Sequence, residues 1–430
     1  MKVKTYDQLK KAIDEGEKLI ELENSISSPN SLTLKRGVTI RSTEEKVFLS
    51  FINSEGLGLT SDNTVANLAI QTNPSKRAIF IDSSYKELGK ITLKDLTVTG
   101  LVQLLTRGEN EKLLIDIDSL DIISADSRFF PERPMKYGVN VYQGALTIYN
   151  FNPSEESRID VRAENISLGR ENAPVIGSGV FISGFNDTSG PVYIEKLSTN
   201  EIHSNGMIPS GQPNLITGAI FIVYGAFAKE IESKGLVKTY GTNDMVLDVW
   251  GTVDKWISKG KVVSLGSSGI GFVNFGKVKE FKSEGPILTY GLGARGFNQY
   301  DGTIEKAYFK SIETFGNGSI GMQFSKPVGT ISIEDYVKTK GSVGETLVKG
   351  EIKTLKADAI SVLEGGEIKD LDVKGDLLVE GEDVVAYHVN GGKVGNFSIS
   401  GQIRAENEKS QAVVIENDGK SDLSSIEGYL

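Results

Sequence analysis

From Gly241 to Gly341 the chain repeats itself. Gly241, Gly266, Gly291, Gly316 and Gly341 stand 25 residues apart, and the segments they open alternate apolar and polar positions in short runs separated by Gly, Asn, Asp or Ser. Period-two alternation predicts β-strands, and these segments lack the 3.6-residue spacing of an amphipathic helix. One such unit cannot bury its own apolar face. The period therefore predicts stacking, each strand pairing with its counterpart one unit along. That is a parallel β-helix with about 25 residues per coil, whose interior must be filled by columns of apolar side chains. Six positions after the leading glycines lie Leu247, Phe272, Phe297, Met322 and Leu347, the expected inward column. The preceding position reads Val246, Gly271, Gly296, Gly321 and Thr346, a small-residue column expected outward or at a corner. Four positions after the glycines lie Met245, Ile270, Arg295, Ile320 and Glu345, a slot expected to be apolar, which Arg295 violates.

Looser copies of the unit lie upstream at 91–100, 113–124, 158–169 and 192–202, and downstream at 365–381 and 391–403. The whole chain, 1–430, is thus expected to be one all-β domain with coils over 17–406. Leucine-rich and propeller repeats rank behind, because their LxxLxLxxN and WD signatures are missing. Residues 5–16 differ in kind. Thr5 and Gln8 have capping-box spacing, Leu9, Ala12 and Ile13 form an apolar stripe, and Gly16 is placed as a C-cap. A short helix plugging the open end of the stack is predicted. The polar segment 407–430 is expected to cap the other end or trail as a tail.

Composition narrows the chemistry. With 48 glycines and 11 prolines the chain turns often and by conformational freedom. A net charge of -10, from 47 basic and 57 acidic residues, leaves no basic field for nucleic acid. Cysteine is absent and the only histidines are His203 and His388, so no metal site and no other cofactor is assigned. Catalysis would fall to carboxylates, Arg, Lys, Tyr or amides. No window approaches the ~18 apolar residues of a membrane span, and Met1–Gly16 lacks the apolar stretch of a signal peptide. The expectation is a cytoplasmic protein by default, secreted or surface-displayed if a leader has been removed.

The stretches TYDQLKKAIDEG, KLIELENSIS and LTLKRGVTIRS resemble the N-terminal cap and first coil of right-handed parallel β-helix proteins of the pectin-lyase-like superfamily. The whole chain resembles uncharacterised bacterial proteins of that architecture. The resemblance implies a right-handed, single-domain solenoid, the hand that parallel crossovers favour in any case. In studied members it also implies polysaccharide lyases, hydrolases, epimerases and adhesins. It specifies no reaction here. Neither the paired-aspartate pattern of polygalacturonase-like hydrolases nor the aspartate cluster and arginine motif of pectate lyases is found, and fold alone does not give function.

Three regions depart from the plain repeat. In 124–150, Arg128, Phe129, Phe130, Glu132, Arg133 and Tyr137 predict a protruding loop. A sugar or partner would stack on Phe129, Phe130 or Tyr137 while Arg128 and Arg133 bind carboxylates; the competing account is an insert packed on its own coil. In 170–218 two irregular loops are expected around the strand VYIEKL, with His203 at the centre, either a hydrogen-bonded turn residue or a proton-transfer group. His388 is expected to face solvent or a neighbouring coil. The third region is a lateral face of the regular coils. There Asp248, Val273, Asn298, Gln323 and Val348 form a polar ladder beside Trp250, Phe275, Tyr300 and Ser325, with rungs ~4.8 Å apart. Such a strip suits sugar; equally, stacked rings fix register.

A buried Arg295 needs a partner, with Asp244, Asp248, Asp301 and Glu345 as candidates. Together Asp248, Arg295 and Asp301 supply the catalytic parts of a carboxylate-sugar site, and side chains one or two coils apart suit either glycosidase geometry. GSSGIG and GLGARG read as coil corners, since no helix follows to present phosphate-binding amides. DIDSLD reads as a solvated face rather than a calcium seat. Two function classes remain open. One is a carbohydrate-directed protein, in its enzymatic form a polysaccharide lyase or glycoside hydrolase, binding a polysaccharide or oligosaccharide along a lateral face. The other is a non-catalytic, adhesin-like scaffold binding a protein or another copy of itself.

Overall fold

A computed structural model of the chain describes residues 1–43, 45–209, 211–348 and 351–424, except the side chains of 347 and 348. The expected places of the Leu347 and Val348 side chains, and the tail end 425–430, lie outside the described residues. Among the described residues there is one helix, and the remaining regular structure is all β. Parallel strands pair coil upon coil, the pattern of a parallel β-helix. Its contacts divide it into two compact units. One comprises Met1–Pro134, Tyr142–Ser204 and Phe221–Glu230; the other comprises Met135–Val141, Asn205–Ile220 and Ile231–Leu430.

The first unit begins with the predicted helix, Tyr6–Glu15. The Thr5 side chain accepts the Gln8 amide, and Gly16 takes the left-handed conformation at φ 75, which lets its N–H return to the Ala12 and Ile13 carbonyls. Leu9, Ala12 and Ile13 are buried. The looser repeats stack as expected: Ile91, Ile115, Val161 and Ile194 form one buried column, and Leu93, Ile117, Ala163 and Leu197 the next. Coil length varies here. Leu32 pairs with Leu57 and Leu57 with Ile79, but Val102 pairs with Leu146, so a long insertion precedes the strand Gly144–Phe151.

In the second unit the register repeats as the glycines imply. Leu247, Phe272, Phe297 and Met322 pair in succession and are fully buried. Phe272 stacks on Phe281 with ring centroids 3.9 Å apart, and Phe297 packs against Phe309 at 5.1 Å. The leading glycines are a steric requirement. A Cβ on Gly291 would overlap the Gly266 carbonyl and lie 2.6 Å from the Ser267 nitrogen, and Gly266, Gly316 and Gly341 stand in the same relation to the glycine one coil before. The coils meet there backbone to backbone.

Three expectations need correcting. First, the period breaks after Gly341. Gly344–Val348 and Glu351–Leu355 pair antiparallel with each other and stand outside the coil ladder, so Met322 pairs with Ile360 rather than with Leu347. The glycine column resumes at Gly381. Second, Gly271, Gly296 and Gly321, expected outward or at a corner, face inward: a Cβ would strike Ile287, Ile312 and Val337, the last at 2.6 Å. Third, because Gly271 and Phe272 both face the interior, the alternation slips by one. The column of Met245, Ile270, Arg295 and Ile320 therefore lies on the outer face, where Arg295 reaches Gln323. Within the segment read as a C-terminal cap or tail, Gln411–Glu416 adds a further rung on Val385–Asn390.

Candidate functional site

The candidate site lies on the outer face and at one corner of the second unit. Asp248, Val273, Asn298 and Gln323 form the predicted column, continued by Ser361 and His388 in place of Val348. It is not open, however. Asp248 is 0% and Asn298 2% exposed, and no described donor bonds either Asp248 carboxylate oxygen or the Asn298 Oδ1. Burial holds the Asp248 carboxyl well above the usual carboxylate range, outweighing the lowering pull of the adjacent Val249 amide.

Beside this column the aromatic ladder forms as expected, Trp250 to Phe275 at 6.0 Å between centroids and Phe275 to Tyr300 at 4.7 Å. Tyr137 lies on it. Its ring is 4.6 Å from that of Phe275 and 5.3 Å from that of Trp250, and its hydroxyl donates to the Phe275 carbonyl at 3.3 Å. Two regions that are separate in sequence thus meet.

Arg295 is half-buried without a carboxylate. Its Nε donates to Gln323 Oε1 at 2.7 Å and its Nη1 to the Gly293 carbonyl at 3.3 Å; none of the four anticipated acids pairs with it. Burial lowers the guanidinium to about 10, so it remains a cation at neutral pH. Asp301 sits half-exposed just after the ladder, with its carbonyl accepting from Gln299 Nε2 at 2.6 Å.

Asp244, considered above only as a partner for Arg295, is instead a clamp. It accepts the Gly206 amide at 3.0 Å, the Gly241 amide at 2.7 Å and the Thr217 hydroxyl at 2.7 Å. Burial raises it to about 6 against these bonds. The clamp ties the loop after Asn205 to the coil corners, and Asn243 Nδ2 reinforces it by donating to the Gln212 carbonyl at 3.2 Å.

Between that loop and the 344–355 hairpin lies a cavity of about 450 Å³. Gln212 comes from the loop, Thr242, Asn243, Ser267 and Ser268 from two successive corners, and Glu345 and Thr346 from the hairpin. Leu292 and Ile352 supply apolar wall. The hydroxyls of Ser268 and Thr346 lie 3.1 Å apart and join corner to hairpin. The amides, hydroxyls and single carboxylate can bind a hydroxylated ligand, while the aliphatic walls cover an apolar face. The sequence carries no signal for this site: Gly366 stands 25 residues past Gly341, yet it is Gly381 that meets the Gly341 carbonyl, so the period runs on across the inserted hairpin.

The remaining predicted residues lie elsewhere. In the first unit Arg128 is held by Asp126 through two bonds, at 2.9 and 2.7 Å, and its guanidinium sits 5.6 Å from the Phe129 ring. Phe129 is 71% exposed. Gln143 donates to the Glu132 carbonyl at 2.9 Å, and Arg133 Nε to that of Phe130 at 3.1 Å, so much of the insert is knit to itself. His203 is not in a loop: it is buried within the strand Val192–Asn205, with Nε2 3.5 Å from Glu201. In DIDSLD, Asp116 pairs with Lys90, Asp118 with Asn165 and Asp121 with Arg170.

His388 joins neighbouring coils of the second unit, as one of its two expected settings had it. Nδ1 lies 2.7 Å from Asp358 and Nε2 3.0 Å from Glu416, while the other Asp358 oxygen accepts the Val385 amide at 2.8 Å. Burial pulls the imidazole down, but the bonds and charges of the two carboxylates outweigh it and the pKa is raised. A raised histidine stabilises fully below its unfolded value, ~6.5, and loses that contribution as pH rises through the folded value. The stability difference between the parent and His388→Ala is therefore expected to shrink from pH 6 to pH 9 in urea titrations. A difference constant over that range refutes the assignment.

In comparisons with known proteins, the chain matches no family model, no curated protein and no solved structure. What its structure establishes is the parallel β-helix itself.

Proposed function

We propose that the chain is a carbohydrate-directed β-helix protein whose second unit binds a neutral glycan at the corner cavity. The observation that carries this reading is the lining: hydroxyl and amide groups from two successive coil corners, one carboxylate and two aliphatic side chains, around about 450 Å³. Arg295, the cation a uronic acid would seek, is bonded to Gln323 and does not line that cavity. Neutral sugars fit better than acidic ones. The resemblance of the first coil to pectin-lyase-like proteins supports a glycan as ligand. The enzymatic form of the proposal assigns cleavage to Asp248, Arg295 and Asp301. Geometry supports that form less, because Asp248 is enclosed and Arg295 already has its partners.

Titration calorimetry with neutral and uronic-acid hexasaccharides tests the reading. Neutral sugars should bind at micromolar to millimolar strength, and Ser268→Trp, which fills the cavity, should weaken them at least tenfold. Equal binding by Ser268→Trp, or preference for the acidic sugars, overturns it.

The scaffold reading is favoured by one observation, the exposed Phe129 ring of the first unit. Self-association through it predicts a concentration-dependent sedimentation coefficient that Phe129→Asp abolishes.

A further inference from the structure

The segment Met135–Val141 adds a second site, an inference that rests on reading this unit as a glycan binder. The segment is a strap that lies on the stack and pairs with it at one end. Met135 and Lys136 fold back on Asn140 and Val139, and among the described residues Asn140 and Val141 pair with a coil strand, at Leu215 and Ile216. Tyr137 has φ 56 and the next residue, Gly138, φ 82. A left-handed conformation is unfavourable for a bulky non-glycine residue. The strained residue is also the one whose ring lies over Phe275 and edge-on to Trp250.

Two further strains lie on the same face. Asp248, two residues before Trp250, and Asn298, two coils along, present buried oxygens that no described donor satisfies. A buried acceptor left unmade is costly, so each one in a native structure calls for an explanation. An aromatic platform beside acceptors lacking donors complements one ligand chemistry: a ring with an apolar face and hydroxyls at its edge. A hydroxyl, which both donates and accepts, suits the Asn298 oxygen and either protonation state of the Asp248 carboxyl, whereas a carboxylate has nothing to donate to Asn298.

We propose that the strap Met135–Val141 closes over a second sugar subsite, with Tyr137 holding the place of a neutral pyranose ring on Trp250 and Phe275, and that opening lets sugar hydroxyls reach Asp248 and Asn298. The closed strap then competes with ligand, so apparent affinity is reduced by the fraction of open molecules.

Tyr137→Gly removes the ring and suits the positive φ, so the variant should fold. The probes are cellohexaose, maltohexaose and laminarihexaose, measured by calorimetry against the parent, with and without Trp250→Ala. Acrylamide quenching of Trp250 is read by difference from Trp250→Phe, since the chain has only two tryptophans. Tyr137→Gly should increase quenching of Trp250 severalfold and tighten at least one probe tenfold or more. That gain should vanish with Trp250→Ala and survive Ser268→Trp. If Tyr137→Gly leaves all three probes bound as in the parent, or tightens them equally without Trp250, the strap is structural and the inference falls. A parent that binds no sugar beside a Tyr137→Gly variant that does would sink the corner-cavity reading and leave this one standing.

Discussion

Gly291→Ala is expected to destabilise the second unit by about 3 kcal/mol or more, one of the largest effects a single methyl group can have in this chain. The added carbon has no space. It would overlap the Gly266 carbonyl and lie 2.6 Å from the Ser267 nitrogen, both backbone atoms, so no rotamer change relieves the clash. Relief requires the two coils to part at their corner, which stretches the parallel ladder on Ile270–Asn274 and Arg295–Gln299. Glycine's usual role, a positive φ, is not the reason here: Gly293 and Gly318 are left-handed, but the leading glycines are not among the positive-φ residues. A control separates the two causes. Gly108→Ala meets nothing within 4 Å but sits at φ 46, so its penalty is conformational alone, about 1 kcal/mol. Because repeat arrays open coil by coil, hydrogen exchange is the decisive readout. Gly291→Ala should speed exchange most in the coils flanking 266–316, and uniform exchange would refute the backbone-contact explanation.

That same glycine column explains how far the sequence was legible. A residue required by contact between coils must recur at the coil length, so Gly241 to Gly341 announced the architecture. The inward aliphatics followed from it, and the end helix was readable because capping is local, set by Thr5, Gln8 and Gly16. The errors over the glycine and Arg295 columns share one origin. Column assignments assumed strict alternation, and a single slip at Gly271–Phe272 exchanged the faces of everything before it, turning Arg295 from a buried violation into an outer-face residue bonded to Gln323. The hairpin at 344–355 kept the polar–apolar alternation of a strand, so it passed for a coil until pairing showed Met322 beside Ile360. The cavity was hidden for the same reason, since it needs that hairpin as a wall. Tyr137 on Trp250 is a contact across more than a hundred residues, beyond any periodic signal.

Asp248→Val is expected to stabilise the protein at pH 7 by about 2 kcal/mol, which makes it the most informative substitution on the outer face. Valine fits the position, because Val273 occupies the next rung of the same column and is fully buried. The pH dependence identifies the cause. The folded carboxyl of Asp248 titrates well above an ordinary aspartate, since burial penalises its charge. A carboxyl raised in the folded state keeps its proton while the unfolded chain loses it, so the stability it supports is complete below the unfolded pKa, ~3.9, and is lost as pH rises toward the folded value. The advantage of valine should therefore be small near pH 4 and grow toward pH 7. Asp244, raised to about 6, and His388 also bend the stability curve, but parent and variant share them and the difference removes them. Parallel curves for the two proteins from pH 4 to pH 8 would mean that Asp248 finds a donor in solution. If the advantage grows as expected, the position is one at which the fold tolerates a destabilising acid, and loss of sugar binding by Asp248→Val in the Tyr137→Gly background would then give the reason for keeping it.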